Sequence, residues 1–369
     1  MIVFITIPWF APAYKAGGPI QSITNLVSSY TNDITYKIFC SNKDLDGTVL
    51  DNIEKNTWNN YNSNTQVFYA SNFSKKILYA EIEKIKPDVL FIIGIFSWQY
   101  NILPMLMPFK NKKILSVRGM LHPGALSQKS VKKTIFINAL KVLQITKKLS
   151  FHATDKEEER HIKNVFGSNA NIYIASNFGK IINRTIDIVK QVGTLKLITV
   201  AIISPMKNYL LVLQALKKCT SNIEYTICGS VKDEAYWQIC LSEINTMPSN
   251  IVVNYVGELL PTAIETELQK NHVFIMPSKS ENFGHAIFEA LSAKLPVITS
   301  KFTPWNNLQE NLAGVNVNND VDDIKIALNF FATMNNEMYH NYAKHAYHYF
   351  LAKNDTEIKL QAYSKLFSL

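Results

Sequence analysis

The stretch PSKSENFGHAIFEALSAKLPVITS, Pro277–Ser300, decides the fold of this chain. The apolar run His272–Met276 leads into it as a strand, and Pro277-Ser278 marks a turn. A helix is expected to begin near Asn282 or Phe283, with Gly284 in its first turn, and to run to Ala293. Leu295-Pro296-Val297 then opens another strand, Pro296–Thr299. Strand, turn, helix and strand in so short a span is the unit of an α/β domain.

The same alternation extends in both directions. Upstream, strands are expected at Ile2–Ile7, Tyr36–Cys40, Gln66–Tyr69, Val89–Ile93, Lys113–Val117, Ser150–Ala153 and Asn171–Ala175. After a polar joint around Ser176–Thr194 the pattern restarts at Leu195–Ala201, Glu224–Cys228 and Ile251–Tyr255. Helical stretches lie between, among them Ile20–Ser29, Phe73–Lys84, Lys132–Thr146, Tyr209–Lys218 and Val321–Ala332. Nearly continuous apolar strands alternating with helices mean parallel sheets covered on both faces. A chain of 369 residues exceeds one comfortable core, so two domains are expected. Their bounds are placed at 1–180 and 190–350, with a terminal helix over 351–369 packing back on the first. Two doubly wound sheets whose strand ends face each other would hold a ligand in the cleft between.

Composition narrows the class. With 47% hydrophobic and 18% charged residues the chain is a folded protein. Cys40, Cys219, Cys228 and Cys240 form no CxxC pair, which argues against a zinc framework or disulfides and for a reducing compartment. The start MIVFITIPWF lacks a basic leader region and reads as a first strand. The longest apolar run, Val89–Trp98, has ten residues, too few to span a bilayer as a helix. Charge is uneven: residues 1–190 carry a net +11 and residues 191–369 a net −2, out of +9 for the whole. Between Asp88 and Asp155 no acid occurs, while ten lysines and arginines do, Lys110, Arg118, Lys129, Lys132 and Lys133 among them. That window is either a solvated basic face or a surface for an anionic partner.

The helix after Met276 offers unpaired N–H groups and a positive dipole end, a ready site for phosphate. Asn282, Phe283, Gly284 and His285 sit at that end. Glu281 and Glu289 are eight residues apart, a helical rise of about 12 Å. Carboxylates that share one glycosidic bond sit ~5–10 Å apart. The wider spacing suits the two ends of one extended ligand, such as a sugar diphosphonucleoside, with Glu281 on the sugar and Glu289 on the ribose. The plainer alternative makes Glu281 a capping acid and Glu289 an exposed helix residue. His285 touches the ligand or lies on the helix surface, and His152 is read as structural. Trp9, Trp98 and Trp305 line an acceptor groove or belong to the core.

These residues resemble the donor-binding motif of the retaining glycosyltransferases of family 4, which have the GT-B fold. The resemblance covers most of the chain. Ala16-Gly17-Gly18-Pro19 is similar to the family's Gly-rich loop, whose backbone approaches the donor phosphates. Ser116–Leu121 with Arg118, then Ala125-Leu126 and Lys132-Lys133, resembles a subgroup associated with cell-surface polysaccharide (lipopolysaccharide, capsule, exopolysaccharide) assembly. Phe151–Thr154 with Glu158 resembles the end of the first domain, and Ile203–Asn208 the start of the second. Thr303-Pro304-Trp305 and Ala313-Gly314-Val315 resemble the subgroup's stretch after the donor helix. The chain departs at Ile202, where the family commonly has Arg, at Ser176–Gly179, where a Pro-Asn-Gly hinge is usual, and at Lys294, where Gly usually ends the helix.

The resemblance implies a nucleotide-sugar donor, a glycan or lipid-linked acceptor and retention of anomeric configuration. The leaving diphosphate must be stabilised in a water-poor site. Lys207, Gly17, Gly18, Arg118 and the N–H groups near Phe283 and Gly284 would do this, so no cofactor and no metal is expected. The resemblance puts His122 where family members often place a group facing the sugar; the plainer alternative is a surface loop histidine. The lysine-rich helix around Lys132–Lys148 is a candidate for an anionic membrane surface, giving a cytoplasmic protein peripheral to the inner face. Nucleic-acid binding lacks a supporting module, and a nicotinamide dehydrogenase lacks G-x-G-x-x-G. The alternatives kept are a nucleotide-sugar epimerase of the same fold and a non-catalytic GT-B scaffold.

Overall fold

A computed structural model describes residues 1–31, 33–123, 126, 130–182 and 188–368. The chain divides into two compact units, Met1–Phe178 with Thr356–Leu369, and Gly179–Asp355. Each is a sheet between helical layers.

The first unit holds β1 (Ile2–Thr6), β2 (Thr35–Ser41), β3 (Trp58–Asn62), β4 (Thr65–Ala70), β5 (Val89–Ile93), β6 (Lys112–Ser116), β7 (Ser150–Ala153) and β8 (Ile172–Ile174). Their order across the sheet is β3-β4-β2-β1-β5-β6-β7-β8. The pairs are parallel except β3 with β4, which are antiparallel. β3 is the one strand of this sheet that the sequence pattern misses. Its sequence WNNYN is polar and half-exposed, as an edge strand allows.

The second unit holds β9 (Thr194–Val200), β10 (Asn222–Cys228), β11 (Ile251–Gly257), β12 (Val273–Met276), β13 (Val297–Ser300) and β14 (Gly314–Val317), in the order β11-β10-β9-β12-β13-β14. All five pairings are parallel. β14 is a four-residue edge strand, too short to show a periodicity of its own.

Both sheets divide their side chains between two cores by the period of two that a strand imposes. In β1, Val3 and Ile5 enter one core and Phe4 the other, and in β5 Val89, Phe91 and Ile93 part from Leu90 and Ile92 in the same way. In β12, Val273 and Ile275 part from Phe274 and Met276. The last helix, Thr356–Phe367, belongs to the first unit. Its Tyr363 stacks on Phe178 and its Phe367 meets Phe91 edge-on, with centroids 5.4 and 5.5 Å apart. Helix Asn336–Lys353 stays with the second, its Phe350 edge-on to Phe288 at 4.9 Å. The four cysteines are buried and unbridged. No described helix is long and apolar enough to cross a membrane.

Candidate functional site

In each sheet the chain reverses its direction of growth at one place, between β1 and β5 in the first unit and between β9 and β12 in the second. Loops leaving the carboxyl ends of two such strands part and leave a crevice, the usual ligand position in an open α/β sheet. The sequence-chosen residues of the second unit gather there.

Lys207 lies on the loop after β9 and Glu281 on the loop after β12, and their side chains form an ion pair, the Lys207 Nζ donating to Glu281 Oε1. They are largely enclosed, with side-chain exposures of 18% and 12%. Hydrogen bonds fix the two loops to each other and to the turn after β13. Lys279 N donates to Met206 O at 2.9 Å, Asn208 Nδ2 to Pro277 O at 3.2 Å, and Glu281 N to Phe302 O at 3.3 Å. The loops that carry a lysine and a glutamate 74 residues apart are thus tied by hydrogen bonds to main-chain carbonyls, which limits side-chain drift.

The helix begins later than its sequence suggests. It runs His285–Ser292, with Gly284 as its N-cap in the left-handed region at φ 72°. Asn282 and Phe283 therefore precede the helix, and Gly284 is not in its first turn. Left-handed backbone without a Cβ is what starts the helix here, and no side chain caps it. The helical-rise estimate between the two glutamates fails for the same reason, because four of its eight steps are loop. The Phe283 carbonyl accepts from Trp305 Nε1 at 2.6 Å, so Trp305, 5% exposed, is core and supports the turn. His285 is buried, its ring tilted against Phe283 at 4.7 Å, not on the helix surface.

Glu289 is also buried, at 4% exposure, which removes the reading of an exposed helix residue. Burial pushes its carboxyl up to about 8, with Lys180 acting against that and Glu265 with it. Lys180 and Glu265 are themselves paired at 2.5 Å. Sequence reasoning missed both, since they lie far from Glu289 along the chain and no local pattern marks them. A carboxyl that burial keeps protonated ionises more readily when hydroxyl donors or a cation approach it.

The other chosen residues belong to the first unit. Gly17 is the N-cap of helix Gly18–Ser29 with φ 72° and ψ −132°, a conformation open almost only to glycine, whereas Gly18 needs no such freedom. Arg118 follows β6 with φ 51° and donates from Nη1 to Asn177 Oδ1. A cavity of about 560 Å³ opens at the carboxyl ends of β1, β2, β4, β5 and β6, with Trp9, Lys43, Phe73, Phe96, Gln99 and Arg118 on its wall. Trp98, by contrast, is exposed. His122 sits against His161, ring centroids 5.0 Å apart. His152 is fully buried between Ser116 Oγ and the Ala175 carbonyl, each at 2.8 Å, and burial lowers it to about 3. Ala125 and Lys129 lie outside the described residues.

An Asp-x-Asp triplet, the usual mark of a metal-bridged diphosphate, is not expected from the sequence reading, yet the chain holds two, and their side chains are engaged as follows. In Asp44-Leu45-Asp46, Asp44 accepts from the Lys15 and Leu45 amides and Asp46 pairs with Lys15 Nζ at 2.7 Å. In Asp320-Val321-Asp322, Asp320 caps helix Val321–Ala332 and Asp322 pairs with Lys218 at 2.9 Å.

Residues 186–349 match the family model "Glycosyl transferases group 1". No curated protein sequence matches the chain. Among solved structures it is similar to Anabaena HepE in complex with UDP and glucose, with TM-score 0.71, 13% identity and 99% of each chain covered. It is similar also to WaaG, described as a glycosyltransferase involved in lipopolysaccharide biosynthesis, with TM-score 0.68, 10% identity and 100% of each chain covered. A third is a TarM variant from S. aureus in complex with Fondaparinux, alpha-GlcNAc-glycerol and UDP, with TM-score 0.73, 14% identity and 100% of each chain covered.

Proposed function

We propose that this chain, which has the GT-B glycosyltransferase fold and carries a group 1 glycosyl transferase domain over residues 186–349, moves a sugar from a nucleoside diphosphate sugar to an acceptor hydroxyl with retention of configuration. The acceptor we assign is a glycan, lipid-linked, in the assembly of a bacterial surface polysaccharide. The observation that carries the reading is the Lys207–Glu281 pair at the β9/β12 switch point, beside the N-terminus of a helix that also carries buried Glu289. HepE was solved with UDP and glucose and WaaG is named for lipopolysaccharide biosynthesis, which supports this direction.

In this mechanism the donor divides the ion pair. The diphosphate takes Lys207 and the N–H groups at the start of the His285 helix, while sugar hydroxyls donate to Glu281. Ribose hydroxyls reach Glu289 and stabilise its charged form. The C1–O bond to phosphate breaks with its electron pair going to the diphosphate. The acceptor oxygen bonds C1 on the same face, and a donor phosphate oxygen takes the acceptor proton. Lys207 and the helix end stabilise the charge that grows on the leaving group, so no metal is assigned to the step. The absence of Arg at Ile202 leaves more of that charge on Lys207.

The membrane side of the proposal rests on helix Ser130–Val142. It turns Ile137 and Leu140 inward, yet leaves Val131, Ile135 and Val142 exposed at 65–79%, as is Leu143 just past its end, with Lys132, Lys141, Lys147 and Lys148 around them. The expected longer helix stops because Gln144 takes the left-handed region and a 3₁₀ turn, Ile145–Lys148, follows. An outward apolar stripe flanked by lysines fits the inner leaflet of a cytoplasmic membrane.

The test is incubation with a panel of nucleotide sugars and membrane extract, read by mass spectrometry. One donor is expected to be consumed with a sugar-mass increment on a lipid-extractable acceptor. A protein that binds no donor, or converts one to its isomer without an acceptor product, overturns the reading. For the membrane, Val131→Glu with Ile135→Glu should abolish salt-sensitive binding to vesicles rich in anionic lipid. Retained binding removes that part alone.

A further inference from the structure

Helix Lys156–Phe166 in the first unit presents a group of side chains that the transfer reaction does not use. Glu157 and His161 are four residues apart and share one of its faces. His122, from the loop after β6, completes a triangle with them: one ligand atom from each of the three lies within 4.8 Å of the other two. The His122 and His161 rings meet edge to face.

The frame under this triangle is built from the same helix turn. Asp155 caps it, accepting from the Glu157 and Glu158 amides at 2.8 Å each. Glu158, 3% exposed, faces inward and accepts from the Gly119 amide, from Thr154 N at 2.7 Å and from Thr154 Oγ1 at 2.9 Å. The His122 loop therefore hangs on the residue next to Glu157. Within the loop, His122 N donates to Gly119 O at 3.1 Å and Leu126 N to His122 O at 2.9 Å.

We propose that His122, Glu157 and His161 bind a divalent zinc ion, with the fourth position open to water, and that the ion clasps the Arg118–His122 loop to this helix. Two imidazoles and one carboxylate are a zinc donor set, borderline in softness. Metal–ligand bonds of ~2.0–2.1 Å in a tetrahedron set neighbouring ligand atoms about 3.4 Å apart. His122 and His161 are half-buried and Glu157 is exposed, which leaves the side chains room to rotate toward that spacing. The assignment gives His122 a partner set different from a substrate sugar.

The experiment uses the full chain, free of any affinity tag and stripped with a chelator, titrated with ZnCl₂ by calorimetry and counted by elemental mass spectrometry. One zinc per chain is expected. His161→Ala and Glu157→Gln should each weaken binding by at least about tenfold. The pair His345→Ala with His348→Ala, two other histidines whose rings lie 5.9 Å apart, should leave it unchanged. Cobalt added in place of zinc should give the visible bands of a tetrahedral site, lost in Glu157→Gln, a variant that disturbs no core residue. Wild type without stoichiometric zinc, binding indifferent to Glu157 and His161, or binding that follows His345 and His348, overturns the proposal.

Discussion

The two sheets have the same kind of topology and opposite chemistry at the same topological place. At the β9/β12 switch point the loops deliver a lysine and a glutamate into contact, with a second glutamate buried on the helix that follows. At the β1/β5 switch point the loops enclose a cavity walled by Trp9, Phe73 and Phe96, with Lys43 and Gln99 at its edge. The fold thus fixes where a ligand sits, and the loop residues decide which one. In the proposed reading the second unit takes the diphosphate and hydroxyls. The first encloses a cavity with aromatic, amide and cationic side chains on its wall, in a half of the chain with excess positive charge.

The largest effects should separate these roles. Lys207→Ala should lower kcat by about 10²–10³-fold, as losing a preorganised charge partner of the leaving group does. Glu281→Ala should chiefly impair transfer, and Glu289→Ala chiefly nucleotide binding. In the first unit, Gln99→Ala or Lys43→Ala should raise the acceptor KM by about tenfold with kcat little changed, the mark of lost ground-state binding. Steady-state kinetics with donor and acceptor varied separately reads all of these. Wild-type activity in both glutamate variants, or a kcat collapse in the cavity variants, breaks the division of labour.

The units also differ in how a buried ionisable group responds to pH. Glu289 has a folded value near 8 against 4.5 for an exposed glutamate. Its stabilising share is full below the lower value and is lost as pH rises through about 8. His152 has a folded value near 3 against 6.5, so its share is present above 6.5 and is lost as pH falls toward about 3. Each contributes a few kcal/mol at its limit, since a tenfold change in proton affinity is worth about 1.4 kcal/mol. Thermal melts of Glu289→Gln should lose the alkaline decline between pH 5 and 8, and melts of His152→Asn the acid one between 6 and 4. Slopes are compared, so a uniform loss of stability in His152→Asn does not mask the result. If both variants keep wild-type slopes, burial is not what governs either group.

Much of this architecture is legible in the sequence because parallel strands buried on both faces leave nearly unbroken apolar runs. Where that reason fails, the reading fails too. The edge strand Trp58–Asn62 is polar and Gly314–Val317 is brief, so neither stands out. Of the site, Glu281, Gly284 and Glu289 are visible in one short stretch. Their states are not: the Lys207–Glu281 contact, the burial of Glu289, and the Lys180–Glu265 pair near it all depend on residues distant in the chain. The helix start reads too early because Gly284 in a helical pattern looks like a weak helix residue, whereas its positive φ makes it the boundary.

Glycine at the two switch points offers a finer comparison. Gly17→Ala should cost about 1–3 kcal/mol, since φ 72° with ψ −132° is closed to side chains although nothing lies within 4 Å of the new Cβ. Gly284→Ala should cost about 1–2 kcal/mol, because left-handed helical backbone is merely strained. There the Cβ meets Ile287 Cδ1 at 3.2 Å and Trp305 Nε1 at 3.3 Å. Gly18→Ala, helical and unobstructed, should gain up to about 1 kcal/mol. Denaturant midpoints order the three, and equal changes at Gly17 and Gly18 would mean that the left-handed backbone at Gly17 does not set the requirement.

The smallest effect compares two lysines that end helices in the left-handed region, one in each unit. Lys86 (φ 50°) follows helix Lys75–Ile85, and Lys294 (φ 59°) follows His285–Ser292. Replacing either by glycine relieves about 1 kcal/mol of backbone strain. Lys294, however, places its ammonium 5.5 Å from the centre of the Tyr347 ring, a contact worth about 0.5–1 kcal/mol at such a site. No ring receives Lys86 among the described residues. Lys86→Gly should therefore stabilise the chain measurably, while Lys294→Gly nets close to zero. Adding Tyr347→Leu to Lys294→Gly isolates the ring: if the second substitution costs the same with Lys294 in place as without it, the strained lysine is not retained for that contact.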